Sequence, residues 1–501
     1  MSESQKFTHP LLFNKEGELT PYKTEVEMLK ALTALLSAEK TLNDMQNNLL
    51  FNTDSYKPSH WLQYPPNTTY TQSYLESRGG KYGRTVMFGL QPILTLLEKG
   101  ITKENVEQAA QFYQLHGEPF NKEGWMYIVE KHGGKLPLKI RAVPEGMVVP
   151  TGNVLMTCEN TDPNCYWLTS YFETMLMRVW YPITVATQSW HCKQIIKQFL
   201  DETADDTAAE ILFKLHDFGS RGVSSRESAA IGGAAHLVNF MGSDTVDGVV
   251  FANNHYNCGM AGFSIPAAEH STITTYGRDK EVDAYRNMLK QFAKPGALVA
   301  VVSDSYDIYN AVGNIWGKQL KDEVIASGAT VIIRPDSGKP SEVVLKCLQL
   351  LDENFGTTYN RKGFKVLNYV RVIQGDGINE DSIREILQVA KNAGYSASNI
   401  AFGMGGALLQ QVNRDTQRFA YKCSWAKIDG KDVEVFKDPV TDPGKTSKKG
   451  KLDLVRRTAD GKLVTVSGSE QFGSIMRTVF LNGKVITKYT LDQVRKLAEE
   501  G

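Results

Sequence analysis

Cysteine is scarce in this chain. Six occur in 501 residues (Cys158, Cys165, Cys192, Cys258, Cys347 and Cys423), and no two form a C-x-x-C pair. That speaks against a disulfide framework and against a cysteine zinc site, and fits reduced thiols in the cytosol. Net charge is absent as well: 56 Lys and Arg balance 56 Asp and Glu. No global pull toward nucleic acid or a membrane surface follows, so any anion site must be local. Long apolar runs are also missing. The best candidate, residues 166–186, is broken by Glu173, Arg178 and Pro182 before it can supply the ~18 apolar residues of a membrane span. The opening MSESQKFTHP lacks the apolar core of a secretory signal. The expectation is a cytoplasmic chain without membrane or nucleic-acid partners.

What is present is a long, balanced sequence. Hydrophobic residues make up 42% and charged residues 22%. At 501 residues the chain exceeds one ordinary core, so at least two packed units are expected. Residues 1–50 read as an N-terminal extension, and the apolar spacing of 25–48 predicts a helix there. Residues 136–159 alternate and are cut by Pro and Gly, the pattern of short antiparallel strands. A helical stretch follows over 166–200. Next come short Val- and Ile-rich runs at 211–215, 298–302, 330–333, 370–373 and 400–402, interleaved with helical patterns such as 341–354 and 379–393. Strand–helix alternation predicts a parallel sheet or barrel. Residues 421–487 alternate again and lead into a short helix. The predicted organisation is an α/β fold: a barrel over 181–420, and a smaller α+β domain made from 51–180 and 421–501.

In such barrels reactive groups follow the C-terminal ends of strands. Five loaded turns stand there: 216–222 (HDFGSRG), 303–307 (SDSYD), 334–338 (RPDSG), 374–377 (QGDG) and 403–406 (GMGG). Glycines at 403, 405 and 406 let backbone N–H groups approach a phosphate, and Arg414 follows roughly two helical turns on. A plain βα turn accounts for the glycines equally well. Leu408 stands where a dinucleotide fingerprint needs its third glycine, and Pro439 rules out a P-loop at Gly444-Lys445-Thr446. The basic stretch beginning at Lys445 is a solvated loop or a clamp on pyrophosphate. Asp304, Asp336 and Asp376 are candidates for ribose hydroxyls or for a hydrated Mg²⁺, against a helix-capping role. His270, preceded by Glu269, is a structural histidine or a nucleophile whose ring the acid orients. Phe218 and Arg221, in one turn, suit a flat heteroaromatic ring.

Several exact strings go further. HDFGSRGVSS, GSDTVDG, SIPAAEHSTIT, VVSDSYDIYN, IIRPDSG, VRVIQGDG and FKDPVTDPGK occur in order, after NTDSYKPSH and NTDPNCYWLTSYFETML. From about residue 50 onward the chain resembles the nicotinamide phosphoribosyltransferases, of the type II phosphoribosyltransferase family. The resemblance implies an irregular α/β-barrel catalytic domain and a homodimer with shared active sites. It implies nicotinamide, phosphoribosyl pyrophosphate and ATP as substrates, with Mg²⁺ held mainly by pyrophosphate and water. By the same resemblance Phe218 stacks on nicotinamide, and Tyr56 covers the other face from the partner subunit. Asp244 accepts from the amide and Arg334 donates to it. Asp336 holds the ribose hydroxyls beside Gly375 and Asp376, and Arg221, Gly405, Gly406 and Arg414 serve the ribose and 5′-phosphate. Arg78, Lys422, Lys437 and Lys445 stand on the pyrophosphate side. His270 is the residue phosphorylated by ATP, with Glu269 and Asp304 near it. Ala300, Met404 and Ala407 depart from the family pattern. The rivals are a nicotinate or quinolinate transferase, which the carboxylate of Asp244 disfavours, and a non-catalytic binding protein on the same scaffold.

Overall fold

The computed structural model describes residues 47–441, 445–468 and 473–501. The helix expected over 25–48 falls almost wholly outside the described residues.

Six parallel strands make the central sheet. Their spatial order is Gly242–Ser243, Leu215–Asp217, Ile400–Met404, Val370–Gln374, Thr330–Arg334 and Leu298–Val302. Val299, Val301, Val331, Ile333, Val372 and Phe402 are fully buried. These strands read as continuous apolar runs because helices cover a parallel sheet and leave no solvent face to encode. One covering helix, Glu380–Asn392, buries Ile383, Ile386, Leu387 and Ala390, and Asn379 caps it in a reciprocal pair with Ser382.

The two edges of this sheet are joined. Phe263 bridges to Gly242 on one edge strand, and Ala267 bridges to Ala300 on the other, both in parallel sense. The seam is held by Ser243 N to Phe263 O at 3.0 Å, Ala300 N to Pro266 O at 3.0 Å and Ala268 N to Ala300 O at 2.9 Å. The extended segment 263–268 thus turns a six-stranded sheet into an irregular closed barrel. Every strand points the same way, so the turns after them gather at one mouth.

One expected strand is displaced. Residues 211–213 form a tight helical turn, with Lys214 N bonded to Ile211 O at 3.2 Å, and the strand is Leu215–Asp217. The turn Thr207–Glu210, capped by Asp206, runs straight into it, so the apolar residues Ile211 and Phe213 are spent before sheet pairing begins.

A second, antiparallel sheet of seven strands draws on both ends of the chain. Its order is Lys431–Glu434, Phe419–Ile428, Thr68–Ser77, Val154–Asn160, Leu138–Ala142, Arg477–Leu481 and Lys484–Val485. Its core includes Tyr74, Leu75, Ile140, Met156, Tyr421 and Phe480. The helix Trp180–Thr203 packs its buried Val185, Ile196 and Leu200 into the barrel-side core. Buried Glu145 adds a polar tie: it accepts from Gly89 N at 2.9 Å, Gln91 N at 2.7 Å and the Tyr256 hydroxyl at 2.6 Å. None of the six cysteines is disulfide-bonded. Among the described residues no helix is long and apolar enough to cross a membrane.

Candidate active site

The turn after Leu215–Asp217 carries Phe218. Its N–H bonds to Met404 O at 3.0 Å, which lays the half-buried ring against the neighbouring strand ends. Two glycines make room for it. A methyl on Gly403 would stand 2.0 Å from Phe218 Cε2, and one on Gly375 would stand 3.2 Å from the same atom and 3.5 Å from Asp336 Oδ1. Gly375 therefore sits between the aromatic floor and a carboxylate. Beneath the floor lies buried Asp217. Its Oδ1 accepts from Gly219 N at 2.7 Å, and its carbonyl accepts from Asp244 N at 2.9 Å. Burial pushes the Asp217 carboxyl up to about 6, and nearby Asp244 adds to the rise. Asp244 itself is exposed, with Oδ1 accepting from Ser264 Oγ at 2.5 Å, a contact made by the segment that closes the barrel.

Across the mouth stands an acidic group around His270. Asp304 Oδ1 lies 2.9 Å from His270 Nε2, and Asp304 Oδ2 accepts from Ser337 Oγ at 2.6 Å. Only 5% of the Asp304 side chain is exposed against 45% of His270, so a buried carboxylate holds an accessible imidazole. Glu269 does not orient that ring. Its carboxylate caps the short helix His270–Thr274, accepting from Thr272 N and from the Ser271 hydroxyl. The cap geometry turns the side chain along its own helix, and the ring partner comes instead from another strand end. Arg334 Nη2 stands 3.8 Å from Asp336 Oδ2. Burial raises the Asp336 pKa; Arg334 and His270 oppose the rise, and Asp304 and Asp376 add to it. None of the three aspartates caps a helix: Asp307 and Asn379 do that work in the turns after Asp304 and Asp376, and the helix Pro340–Phe355 after Asp336 starts without a side-chain cap.

The glycine turn behaves as its sequence suggests. Gly405 precedes a short helix, Gly406–Leu409, and the neighbouring 219–222 turn packs on it so closely that a methyl on Gly222 would lie 3.5 Å from Gly406 N. Arg414 is not on that helix. It opens a separate turn, Arg414–Thr416, because the helix ends at Leu409, and its Nε is 3.6 Å from Asp415. Arg221 and Arg414 are both exposed, as is Asp376.

The remaining cations lie on or beside the antiparallel sheet: Lys422 is within Phe419–Ile428, Arg78 directly follows Thr68–Ser77, and Lys437 and Lys445 come after Lys431–Glu434 in the chain. Arg78 Nε is 2.9 Å from Glu76 Oε1, its Nη2 is buried without a hydrogen-bond partner, and Lys448 also reaches Glu76. Burial lowers the Lys422 pKa against the pull of Glu173, and Arg78, Lys57 and Lys437 lower it further, which marks a gathered set of positive charges. Lys437 and Lys445 are exposed. Tyr56 is 54% exposed, and its neighbours in the chain are His60, at 5.1 Å between rings, and Lys57, at 5.4 Å. Phe218 is not among them. Among the described residues no group of three His, Cys, Asp or Glu is arranged to hold a metal ion.

Family models match two stretches of the chain: the nicotinamide phosphoribosyltransferase N-terminal domain over residues 48–140, and the nicotinate phosphoribosyltransferase (NAPRTase) family over 213–484. A nicotinamide phosphoribosyltransferase of Xanthomonas campestris pv. campestris (strain 8004) is 58% identical over 462 residues, spanning 90% of this chain and 98% of that protein. The chain belongs to the nicotinamide phosphoribosyltransferase family. The similarly named protein of Acinetobacter baylyi (strain ATCC 33305 / BD413 / ADP1) is 32% identical over 489 residues, covering 89% of this chain and 96% of that one. Solved structures agree on the fold. Nicotinate-nucleotide pyrophosphorylase from Pyrococcus furiosus gives a TM-score of 0.59 at 15% identity, covering 91% of this chain and 95% of that chain. Human nicotinic acid phosphoribosyltransferase gives 0.51 at 15% identity, covering 89% and 93%.

Of the departures from this family's pattern, Met404 is buried in the barrel core. Ala300 lies on the closing seam, where its backbone makes two of the three seam bonds. Sequence reasoning passed over Asp217, Ser264 and Ser337. All three stand inside quoted strings (Asp217 in HDFGSRGVSS, Ser264 in SIPAAEHSTIT, Ser337 in IIRPDSG), but their partners are set by neighbouring strands and turns that spacing along the chain does not reveal.

Proposed function

We propose that the chain joins nicotinamide to phosphoribosyl pyrophosphate, forming nicotinamide mononucleotide and pyrophosphate, as a cytoplasmic enzyme of NAD salvage. One observation carries this reading: the Phe218 ring lies over Gly403 and Gly375, with the Asp336 carboxylate just beyond Gly375. A flat heteroaromatic base stacked there is delivered beside a group suited to ribose hydroxyls.

The pyridine nitrogen gives its electron pair to the anomeric carbon, and the bond from that carbon to the pyrophosphate oxygen breaks, with the pair leaving on pyrophosphate. The step needs little acid–base help, so orientation and charge stabilisation do most of the work. Asp244 accepts from the amide and Arg334 donates to its oxygen. Asp336, with Gly375 and Asp376, holds the ribose. Backbone N–H groups of Gly405 and Gly406, with Arg221 and Arg414, take the 5′-phosphate. Arg78, Lys422, Lys437 and Lys445 receive the departing charge. Mg²⁺ would be held mainly by pyrophosphate and water, since no three acidic groups among the described residues are arranged to grip it, and it would neutralise the departing charge. Tyr56 covers the base from the partner subunit of a homodimer, which agrees with its exposed ring and with His60 and Lys57, not Phe218, beside it within one chain.

His270 couples ATP to this reaction. Asp304 accepts from Nε2, so Nδ1 keeps the lone pair. Nδ1 attacks the γ-phosphorus, the bond to the ADP oxygen breaks, and Asp304 steadies the imidazolium that forms.

Gly403→Ala tests the aromatic floor. The added methyl cannot coexist with the Phe218 ring in its present place, so the KM for nicotinamide should rise about tenfold or more, with a folded protein. An unchanged KM for nicotinamide would count against base stacking at Phe218.

A further inference from the structure

Four of the stretches that supply the proposed phosphate- and ribose-binding groups are Arg78, the loop of Gly375 and Asp376, the Gly405-Gly406 turn, and the turn of Arg414. One buried polar knot touches all four. The Tyr82 hydroxyl, four residues after Arg78, donates to Glu380 Oε1, and Lys81 Nζ is 3.3 Å from Glu380 Oε2. Glu380 opens the helix that directly follows the Gly375-Asp376 loop. Gln188 Oε1 lies 3.4 Å from both Lys81 Nζ and the Tyr82 hydroxyl. Its Nε2 donates to Ala407 O at 2.6 Å and Leu408 O at 3.4 Å, in the short helix behind the glycine turn. On the fourth side Gln417 Oε1 accepts from Tyr82 N at 2.8 Å, and Thr416 O accepts from Lys81 N at 2.9 Å, which fastens the turn of Arg414. The loop passes so near that turn that a methyl on Gly80 would stand 2.2 Å from Thr416 O.

Apolar packing could join these segments without fixing their offsets, because it is not directional. Buried hydrogen-bonding groups behave differently: left unpaired they are costly, so a paired network holds one relative placement. Tyr82 is only 6% exposed, Gln188 2% and Gln417 0%. The plane of the Tyr82 ring is also set, by stacking on His191 at 4.3 Å and 11°.

We propose that Tyr82, Glu380 and Gln188 are positioning residues for phosphoribosyl transfer. They fix the spacing between Arg78 and the ribose and 5′-phosphate turns, so that phosphoribosyl pyrophosphate is held across all of them in one pose. The inference rests on the transferase reading of this site. It bears on the substrate that spans the four segments and leaves alone nicotinamide, which rests on Phe218.

The test uses full-length Tyr82→Phe, which keeps the ring stack and removes the donor, together with Glu380→Gln and the double variant. Gln188→Met, of similar length, is an independent probe should any of these fail to fold. The KM for phosphoribosyl pyrophosphate should rise about tenfold in each single variant. The double variant should lie close to the worse single one, because the residues share one network. The KM for nicotinamide should stay near wild type, and any fall in melting temperature from the lost hydrogen bond should not be matched by a loss toward nicotinamide. Folded variants with an unchanged KM for phosphoribosyl pyrophosphate would overturn the proposal. So would an equal loss toward both substrates that tracks a lowered melting temperature, since that marks a merely structural role. A wild-type protein that forms no mononucleotide would sink the transferase reading itself, whereas wild-type turnover beside unaffected variants sinks only the positioning role.

Discussion

Asp304 Oδ1 lies 2.9 Å from His270 Nε2, across 34 residues of sequence. The acid comes from the end of the strand Leu298–Val302 and the histidine from the short helix beyond the closing segment. This pairing, and not the adjacent Glu269, sets which ring nitrogen is free to react.

The proposed ATP coupling would act through that pairing. His270→Ala should abolish ATP hydrolysis and any gain that ATP brings to nicotinamide use, while weak synthesis persists in a folded protein. Asp304→Asn keeps the shape but weakens stabilisation of the imidazolium, and should lower ATP hydrolysis by about a hundredfold. Acid-labile phosphate on the wild-type chain, absent from His270→Ala in mass spectrometry under neutral conditions, is the direct check. Unchanged ATP hydrolysis in folded His270→Ala contradicts the role.

Asp217 gives a prediction about pH. Its carboxyl is raised from an ordinary 3.8 to about 6, so between those values the folded state binds more protons than the unfolded state. The stability it contributes is complete below the lower value and is lost as pH rises through the upper one, an effect of order 3 kcal/mol. Asp217→Asn, neutral throughout, should flatten that part of the stability profile. Melting curves for the two proteins between about pH 4 and about pH 7 decide the matter. Parallel profiles would show that Asp217 does not titrate in this range.

Much of the barrel was legible from its apolar runs. Strands buried on both faces must be Val- and Ile-rich, and the turns after them stood out because polar and glycine clusters interrupt those runs. Phe218, Asp304, Asp336, Gly375 and Gly405 were all picked out in this way. The closing segment 263–268 was not legible, because it joins the edges through two isolated bridges and carries no run of strand-forming residues. The strand near 215 was misplaced because a helical turn takes up the same kind of residue. Tyr82 and Glu380 are 298 residues apart, and no local pattern announces a contact that only the folded chain creates.

Shared active sites can be tested by mixing subunits. Tyr56→Ala and Asp336→Ala should each be nearly inactive alone. A heterodimer of the two contains one site with both side chains intact, so mixing with subunit exchange should restore up to about a quarter of the wild-type activity, from half of the dimers with half of their sites. Exchange demonstrated by mass without any recovery would place Tyr56 and Asp336 in the same subunit's site.

Base choice tests the central claim most directly. In the proposed binding mode Asp244 presents a carboxylate where the amide of nicotinamide is an N–H donor and where the carboxylate of nicotinate would be repelled. The measurement is product formation from phosphoribosyl pyrophosphate with nicotinamide and nicotinate side by side, for the wild type and Asp244→Asn. The account predicts nicotinamide mononucleotide, a preference for nicotinamide of about a hundredfold or more, and erosion of that preference by at least about tenfold in the variant. Equal use of both bases by the wild type, or no mononucleotide from either, would contradict it.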